Sequence, residues 1–179
     1  MAFDEHQYIS PIFTVPKNDK NEYRMILNLK ELKEYIEPHH FKMETFESAL
    51  KLIKPFSYCA SIDLRHAYYS INIAENDQKF LRFQWKEKNY QYTCLPNGIK
   101  SAPRIFIKLM KPVYSTLLQY GHKNVAYIDD SLLIDDTPLK CTNNVKDTVC
   151  LLQNLGFFIH EKKICIYPNT DDNISWKCD

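Results

Sequence analysis

The stretch Val125-Ala126-Tyr127-Ile128-Asp129-Asp130-Ser131-Leu132-Leu133-Ile134 holds two short apolar runs with two residues between them. That spacing predicts a pair of strands joined as a hairpin, with Asp129 and Asp130 at its tip. Taking a carboxylate out of water costs several kcal/mol unless it is paired or bound to a metal. Two adjacent acids between apolar strands therefore mark either an exposed turn or a cation site. Asp is a common turn former, so the pair alone favours the exposed turn. A third carboxylate at the end of another strand shifts the balance, and Asp63 closes the apolar run Phe56 to Leu64.

Working outward, the 179 residues suffice for one domain with a substantial core. Hydrophobic residues make up 45% and aromatics 13%, with 12 Tyr and 10 Phe, which argues for folding and against disorder. The net charge of +1 points to no partner by itself. Its distribution says more, because Lys100, Arg104, Lys108, Lys111 and Lys123 follow one another with no acid between them, predicting a local basic surface. The six cysteines contain no C-x-x-C pair, which argues against zinc. Cys59 and Cys165 lie in apolar runs and are expected as reduced, buried thiols of a reducing compartment. The first twenty residues hold acids and no apolar signal core, and no run reaches membrane-spanning length. An intracellular, soluble protein without a membrane partner is expected.

Along the chain, residues 9–15 and Tyr23 to Leu29 predict a hairpin with a basic tip. Leu32 to Ile36 predicts a helical turn, and Thr45 to Ile53 a helix ended by Pro55. Phe56 to Leu64 is a strand, His66 to Ser70 turns away from it, and Ile71 to Ala74 is extended. Phe80 to Trp85 and Tyr90 to Leu95 form a hairpin across Lys86 to Asn89. The longest helix starts at Ser101 and Pro103, carries a stripe of Ile105, Phe106, Leu109, Met110, Val113 and Leu117, and ends at Gly121. Thr142 to Leu155 reads as an amphipathic helix, followed by short strands at Phe157 to His160 and Ile164 to Tyr167. The order implies an antiparallel sheet backed by helices, an α+β fold.

Three carboxylates from two strand ends suit a pair of Mg²⁺ ions, which prefer oxygen ligands. Such a pair, about 4 Å apart, activates the attacking oxygen and stabilises the leaving one in phosphoryl transfer. At this point the sequence resembles the reverse transcriptases of retrotransposons over Ser10 to Pro168. Ser10-Pro11 through Val15, Lys17, Arg24 and Leu32 is similar to the fingers motif, and Ser61-Ile62-Asp63-Leu64 with Ala67-Tyr68 to the first palm motif. Leu95-Pro96-Asn97-Gly98-Ile99 with Ser101-Ala102-Pro103 and Phe106 is similar to the second, and Tyr127-Ile128-Asp129-Asp130 has the form of the family signature. Leu155-Gly156-Phe157 with Lys162 and Lys163 is similar to the motif that follows. The wording of residues 102–106 and 127–132 is closer to the DIRS group of elements than to retroviruses.

The resemblance implies an RNA-directed DNA polymerase made of fingers and palm, with residues 1–9 as an extension, 10–168 as one domain, 169–179 as a tail, and no thumb. It implies that Asp63, Asp129 and Asp130 bind two Mg²⁺, with Mn²⁺ as the alternative ion. Lys17, Arg24, Tyr68 and Asn97 then face the nucleotide, with Tyr68 as a steric gate against the ribose 2′-OH or else a core aromatic. Lys30, Arg104 and Lys108 face the nucleic acid, the basic helix face of Arg104 and Lys108 being either that contact with template or nucleotide or a solvated surface. The implied partners are dNTPs and a primed RNA or DNA template. Three departures stand out: Asn28 and Lys30 replace an Asp and an Arg common in the family, and Asn97 a Phe or Gln. Lys30 keeps the charge and loses the bidentate fork. Asp135 and Asp136 have no family counterpart and are expected to be exposed. His39, His40, His66, His122 and His160 have no catalytic spacing. The rival readings are a catalytically silent nucleic-acid-binding remnant and a metal-dependent nuclease or phosphotransferase.

Overall fold

The computed structural model describes residues 8–16, 23–37, 39–41 and 51–160, and the backbone of 165–168. In chain order its elements are β1 (Ile12–Pro16), β2 (Tyr23–Leu27), α1 (Leu32–Tyr35), β3 (Tyr58–Arg65), α2 (Glu75–Gln78), β4 (Arg82–Trp85), β5 (Lys88–Gln91), α3 (Ala102–Gln119), β6 (Lys123–Tyr127), β7 (Asp130–Asp135), α4 (Pro138–Asn154), β8 (Phe158–Ile159) and β9 (Cys165–Pro168). Single 3₁₀ turns cover Ala67–Ser70 and Lys79–Leu81. Lys17 and the tip of the first hairpin, most of the expected helix at 45–53, and Lys162 and Lys163 lie outside the described residues. Among those described, no helix is long and apolar enough to cross a membrane.

The chain divides into two compact units, residues 1–40 with 68–105 and residues 41–67 with 106–179. The first holds two antiparallel hairpins, β1–β2 and β4–β5. Leu27, Leu29, Leu81, Leu95, Ile99 and Ala102 form its core. The β4–β5 connection is tighter than the sequence pattern predicts, because Trp85 pairs with Lys88 and the turn is Lys86-Glu87 alone. Both turn residues have positive φ, 47° and 60°. That is the type I′ signature, whose twist matches the flanking strands. The helix α2 occupies a stretch that periodicity leaves unassigned, and the 3₁₀ turn after it takes up Phe80 and Leu81, which the pattern places in the strand.

The second unit is built on one antiparallel sheet in the order β6-β7-β3, with β8 and β9 sharing the other edge of β3. Strand β7 is apolar along most of its length because both of its faces are covered. Leu133 joins Ala60, Ile62 and Cys141 on the face that packs on α4, and Leu132 and Ile134 join Val125 on the other. Helix α3 buries Phe106, Met110, Val113 and Leu117. Ile105 and Leu109 are exposed, so the apolar stripe is narrower than the spacing predicts. Helix α4 starts earlier than its periodicity suggests: Thr137 is its N-cap, accepting from the Lys140 N–H, and Pro138 opens its first turn. Asp135, against the expectation of a surface residue, is 5% exposed and accepts from Asn144 Nδ2 at 3.0 Å. Asp136 is exposed, as expected.

Candidate active site

Across β3 and β7 the residues pair Cys59 with Ile134, Ser61 with Leu132 and Asp63 with Asp130. Side chains directly opposite share a face of the sheet. One row therefore runs from an apolar end to an acidic end, on the face opposite Ile62 and Leu133. The Leu64 N–H donates to the Asp129 carbonyl at 2.9 Å, and the Asp63 carbonyl accepts from the His160 N–H at 2.9 Å. The backbone at Asp63 and Leu64 is thus tied on one side to the turn before β7 and on the other to the residue after β8. The first of these bonds makes Asp63–Asp130 a non-hydrogen-bonded pair, the kind whose Cα atoms approach to about 4.5 Å. Two carboxylates so placed repel each other, which a sheet tolerates at an open rim or around a cation. Asp63 is half-buried, and Asp129 and Asp130 are exposed.

The turn is displaced from the expected one. Asp130 pairs with Tyr127 and belongs to β7, so the two-residue tip is Ile128-Asp129 and not Asp129-Asp130. This split gives the two acids different jobs in the backbone, one in a strand opposite Asp63 and one in the turn. Ile128 has a φ of 55°. A β-branched residue there is strained, by about 1–3 kcal/mol, and persists only where its surroundings over-determine it. One such constraint is the hydroxyl pair of Tyr114, on α3, with Ser131, the residue after Asp130. Burial pushes the Tyr114 phenol above its ordinary range, while the bond to Ser131 works in the opposite direction. No sequence signal marks this contact, since its partners are 17 residues apart on a helix and a strand.

The first unit carries the candidates Tyr68, Asn97, Arg24, Lys30 and Arg104, and Lys108 belongs to the second. Tyr68 lies in the 3₁₀ turn after β3 and packs, partly buried, against the core of Leu27, Leu95 and Ile99. Asn97 is exposed and its Nδ2 donates to the Tyr69 hydroxyl at 3.4 Å. Gly98 after it adopts a φ of 100°, open to glycine and strained for any other residue. Arg24 is exposed opposite Val15, on the hairpin face turned away from Ile12 and Leu27. Lys30 is exposed, with its backbone N–H bonded to Asn28 Oδ1. On α3, Arg104 is half-buried and Lys108, one turn on, is exposed.

Among the described residues, no three His, Cys, Asp or Glu side chains are gathered closely enough to hold one metal ion together. The fit to a metal rests on donor chemistry and register. Asp63, Asp129 and Asp130 are hard oxygen donors of the kind Mg²⁺ prefers; the sheet pairs Asp63 with Asp130, and Asp129, in the turn, precedes Asp130.

Residues 15–175 match the family model of the reverse transcriptase (RNA-dependent DNA polymerase). The chain is 27% identical over 164 residues to the Gag-Pol polyprotein of avian reticuloendotheliosis virus, covering 86% of this chain and 14% of that polyprotein. It is 27% identical over 153 residues to the transposon Tf2-3 polyprotein of Schizosaccharomyces pombe, of which it spans 11%. Its fold is similar to the prototype foamy virus protease-reverse transcriptase CSH mutant, with a TM-score of 0.75 at 21% identity over 94% of this chain and 24% of that one. It is also similar to the foamy viral enzyme in complex with an RNA/DNA hybrid, at TM-score 0.73 and 23% identity over 88% of this chain and 20% of that one. With the family model spanning residues 15–175, the acidic sheet rim among them, the chain belongs to the reverse transcriptase (RNA-dependent DNA polymerase) family.

Proposed function

We propose that this domain performs template-directed DNA synthesis for a retroelement, as the fingers and palm of an RNA-directed DNA polymerase. The observation that carries the reading is the register of β3 on β7, with Asp63 opposite Asp130 and Asp129 in the adjoining turn. A primer 3′-OH attacks the α-phosphate of a dNTP, and pyrophosphate leaves. Asp63, Asp129 and Asp130 hold two Mg²⁺, which when bound activate the attacking oxygen and stabilise the leaving one. The protein's remaining work is positioning and charge stabilisation. Arg24 and Lys17 offer cations to the triphosphate, Arg24 with a planar fork suited to it. Asn97 lines the nucleotide, Tyr68 fills the space of a ribose 2′-OH, and Lys30, Arg104 and Lys108 take template or primer phosphates. The similarity to foamy virus enzymes solved with an RNA/DNA hybrid and with double-stranded DNA supports a primed RNA or DNA template as the partner.

The test is primer extension on defined RNA and DNA templates with Mg²⁺, comparing the parent with Asp63→Asn and Asp129→Asn. Each variant should keep the circular-dichroism spectrum and lose at least about a thousandfold in rate, equivalent to several kcal/mol of transition-state stabilisation. Extension by Asp129→Asn at the parental rate refutes the assignment.

A further inference from the structure

The hairpin β4–β5 carries a surface that the polymerase reading leaves unused. Phe83 pairs with Tyr90 and Trp85 with Lys88, so these four side chains share one face. Phe83 and Tyr90 are stacked with ring centroids 5.5 Å apart, and Phe83 packs at the edge of the core. Beyond it the face runs on into water: Tyr90 is 45% exposed and Trp85 51%. Lys86 sits with Nζ 6.0 Å from the Trp85 ring centroid. The opposite face is polar and self-satisfied, with Arg82 Nε donating to Gln91 and Gln91 to Gln78. Within residues 82–91, Arg82, Lys86 and Lys88 stand against one acid, Glu87 in the turn.

Exposed aromatic faces interleaved with cations are what an unpaired polynucleotide strand needs. Its bases stack on rings irrespective of sequence, and its phosphates take the lysines. We propose that the Trp85–Tyr90 face of this hairpin, with Lys86 and Lys88, is a stacking platform for single-stranded nucleic acid. The positive charge favours a polyanion over a second copy of the chain, whose net charge is +1. The proposal rests on the polymerase reading for its biological setting, an unpaired stretch of template, and on the hairpin alone for its chemistry. Two αL residues in a two-residue turn hold the strands in register, so the platform is present before the strand arrives.

The experiment measures binding of labelled unpaired oligothymidylate and oligouridylate to the full chain. Trp176→Phe leaves Trp85 as the sole tryptophan, and its fluorescence should be quenched saturably by either oligomer. Trp85→Ala and Tyr90→Ala should each weaken binding roughly five- to 150-fold, the range for loss of one stacked base. Trp85→Phe and Tyr90→Phe should retain binding, since a ring remains. Lys86→Gln with Lys88→Gln should flatten the logarithmic salt dependence by about 0.7 for each phosphate no longer neutralised. Unchanged melting temperatures exclude a folding effect. Oligomer binding that ignores the two alanine variants, or oligomer binding that is absent, overturns the platform. A sedimentation shift toward monomer in those variants, with oligomer affinity unmoved, overturns it in favour of a self-association face. Asp129→Asn should bind both oligomers as the parent does. Failure of the polymerase reading is thereby seen in extension, and failure of the platform in binding.

Discussion

Asn144→Leu isolates the contribution of a buried polar network that holds the second unit together behind the acidic rim. Asp135, at the far end of β7 from Asp130, is 5% exposed, and its Oδ2 accepts from Asn144 Nδ2 at 3.0 Å. Asn144 Oδ1 in turn accepts from the Thr148 hydroxyl at 3.2 Å, and Asn124 Nδ2 reaches Thr148 Oγ1 at 3.5 Å, so strands β6 and β7 are tied to α4 through one chain. Leucine matches asparagine in shape and removes both functions. A hydrogen bond to a charged group contributes about 1.5–3 kcal/mol, and the Thr148 hydroxyl loses a further acceptor worth about 1 kcal/mol. The apolar gain of leucine at a fully buried site offsets about 1 kcal/mol of this. The net expectation is a loss of about 2 kcal/mol. At about 2–4 °C per kcal/mol for a chain of this size, the melting temperature should fall by about 4–8 °C. Urea denaturation followed by circular dichroism measures the loss directly. Adding Asp135→Leu should restore most of it, because removing both partners is far less costly than stranding one. A single variant within about 0.5 kcal/mol of the parent, or a double variant no better than the single, refutes the reasoning.

In a chain active in extension, Tyr68→Val should raise ribonucleotide incorporation far more than it alters dNTP incorporation, and Tyr69→Val should not; equal preference in Tyr68→Val and parent removes the gate assignment. Because Tyr68 also packs on the core, the same variant should melt a few degrees lower. Arg104→Gln with Lys108→Gln should weaken primer-template binding and flatten its salt dependence, and an unchanged slope identifies both as ordinary surface charges. Thr137→Ala removes the cap of α4 and should lower stability by about 1 kcal/mol, read by the same denaturation. Above about pH 9 the fold should weaken: burial, then Asp135 and Cys59, push the Cys141 thiol from 9.0 to about 11, and burial, then Tyr69 and Cys94, push the Tyr92 phenol from 10.0 to about 12. The folded chain keeps these protons where the unfolded chain releases them, so stability is whole below about pH 9 and drains away as pH rises toward about 12. A flat stability profile between about pH 8 and 11 contradicts this.

The short-range part of this protein is written in its sequence. Alternation and turn residues mark the three hairpins and the strand bearing Asp63, the Phe106–Leu117 spacing marks the longest helix, and the order of the motifs leads to the family before any coordinates. The start of α4 at Thr137-Pro138 is equally local, a capping residue followed by a first-turn proline. A polar residue at an inward helical position is the signal that exposes the buried network, since Cys141, Asn144, Thr148 and Leu152 form one stripe. Register and pairing are of another kind. A one-residue shift in a hairpin flips every side chain to the other face. The spacing of apolar runs puts the acidic tip at Asp129-Asp130, whereas pairing with Tyr127 draws Asp130 into β7 opposite Asp63 and leaves a strained Ile128 to make the turn. The burial of Asp135, the Tyr114–Ser131 contact and the shared face of Trp85 and Tyr90 are likewise decided by tertiary structure. Local preference acts over a few neighbours, while the choice of which face meets water is made by the whole sheet closing on its helices.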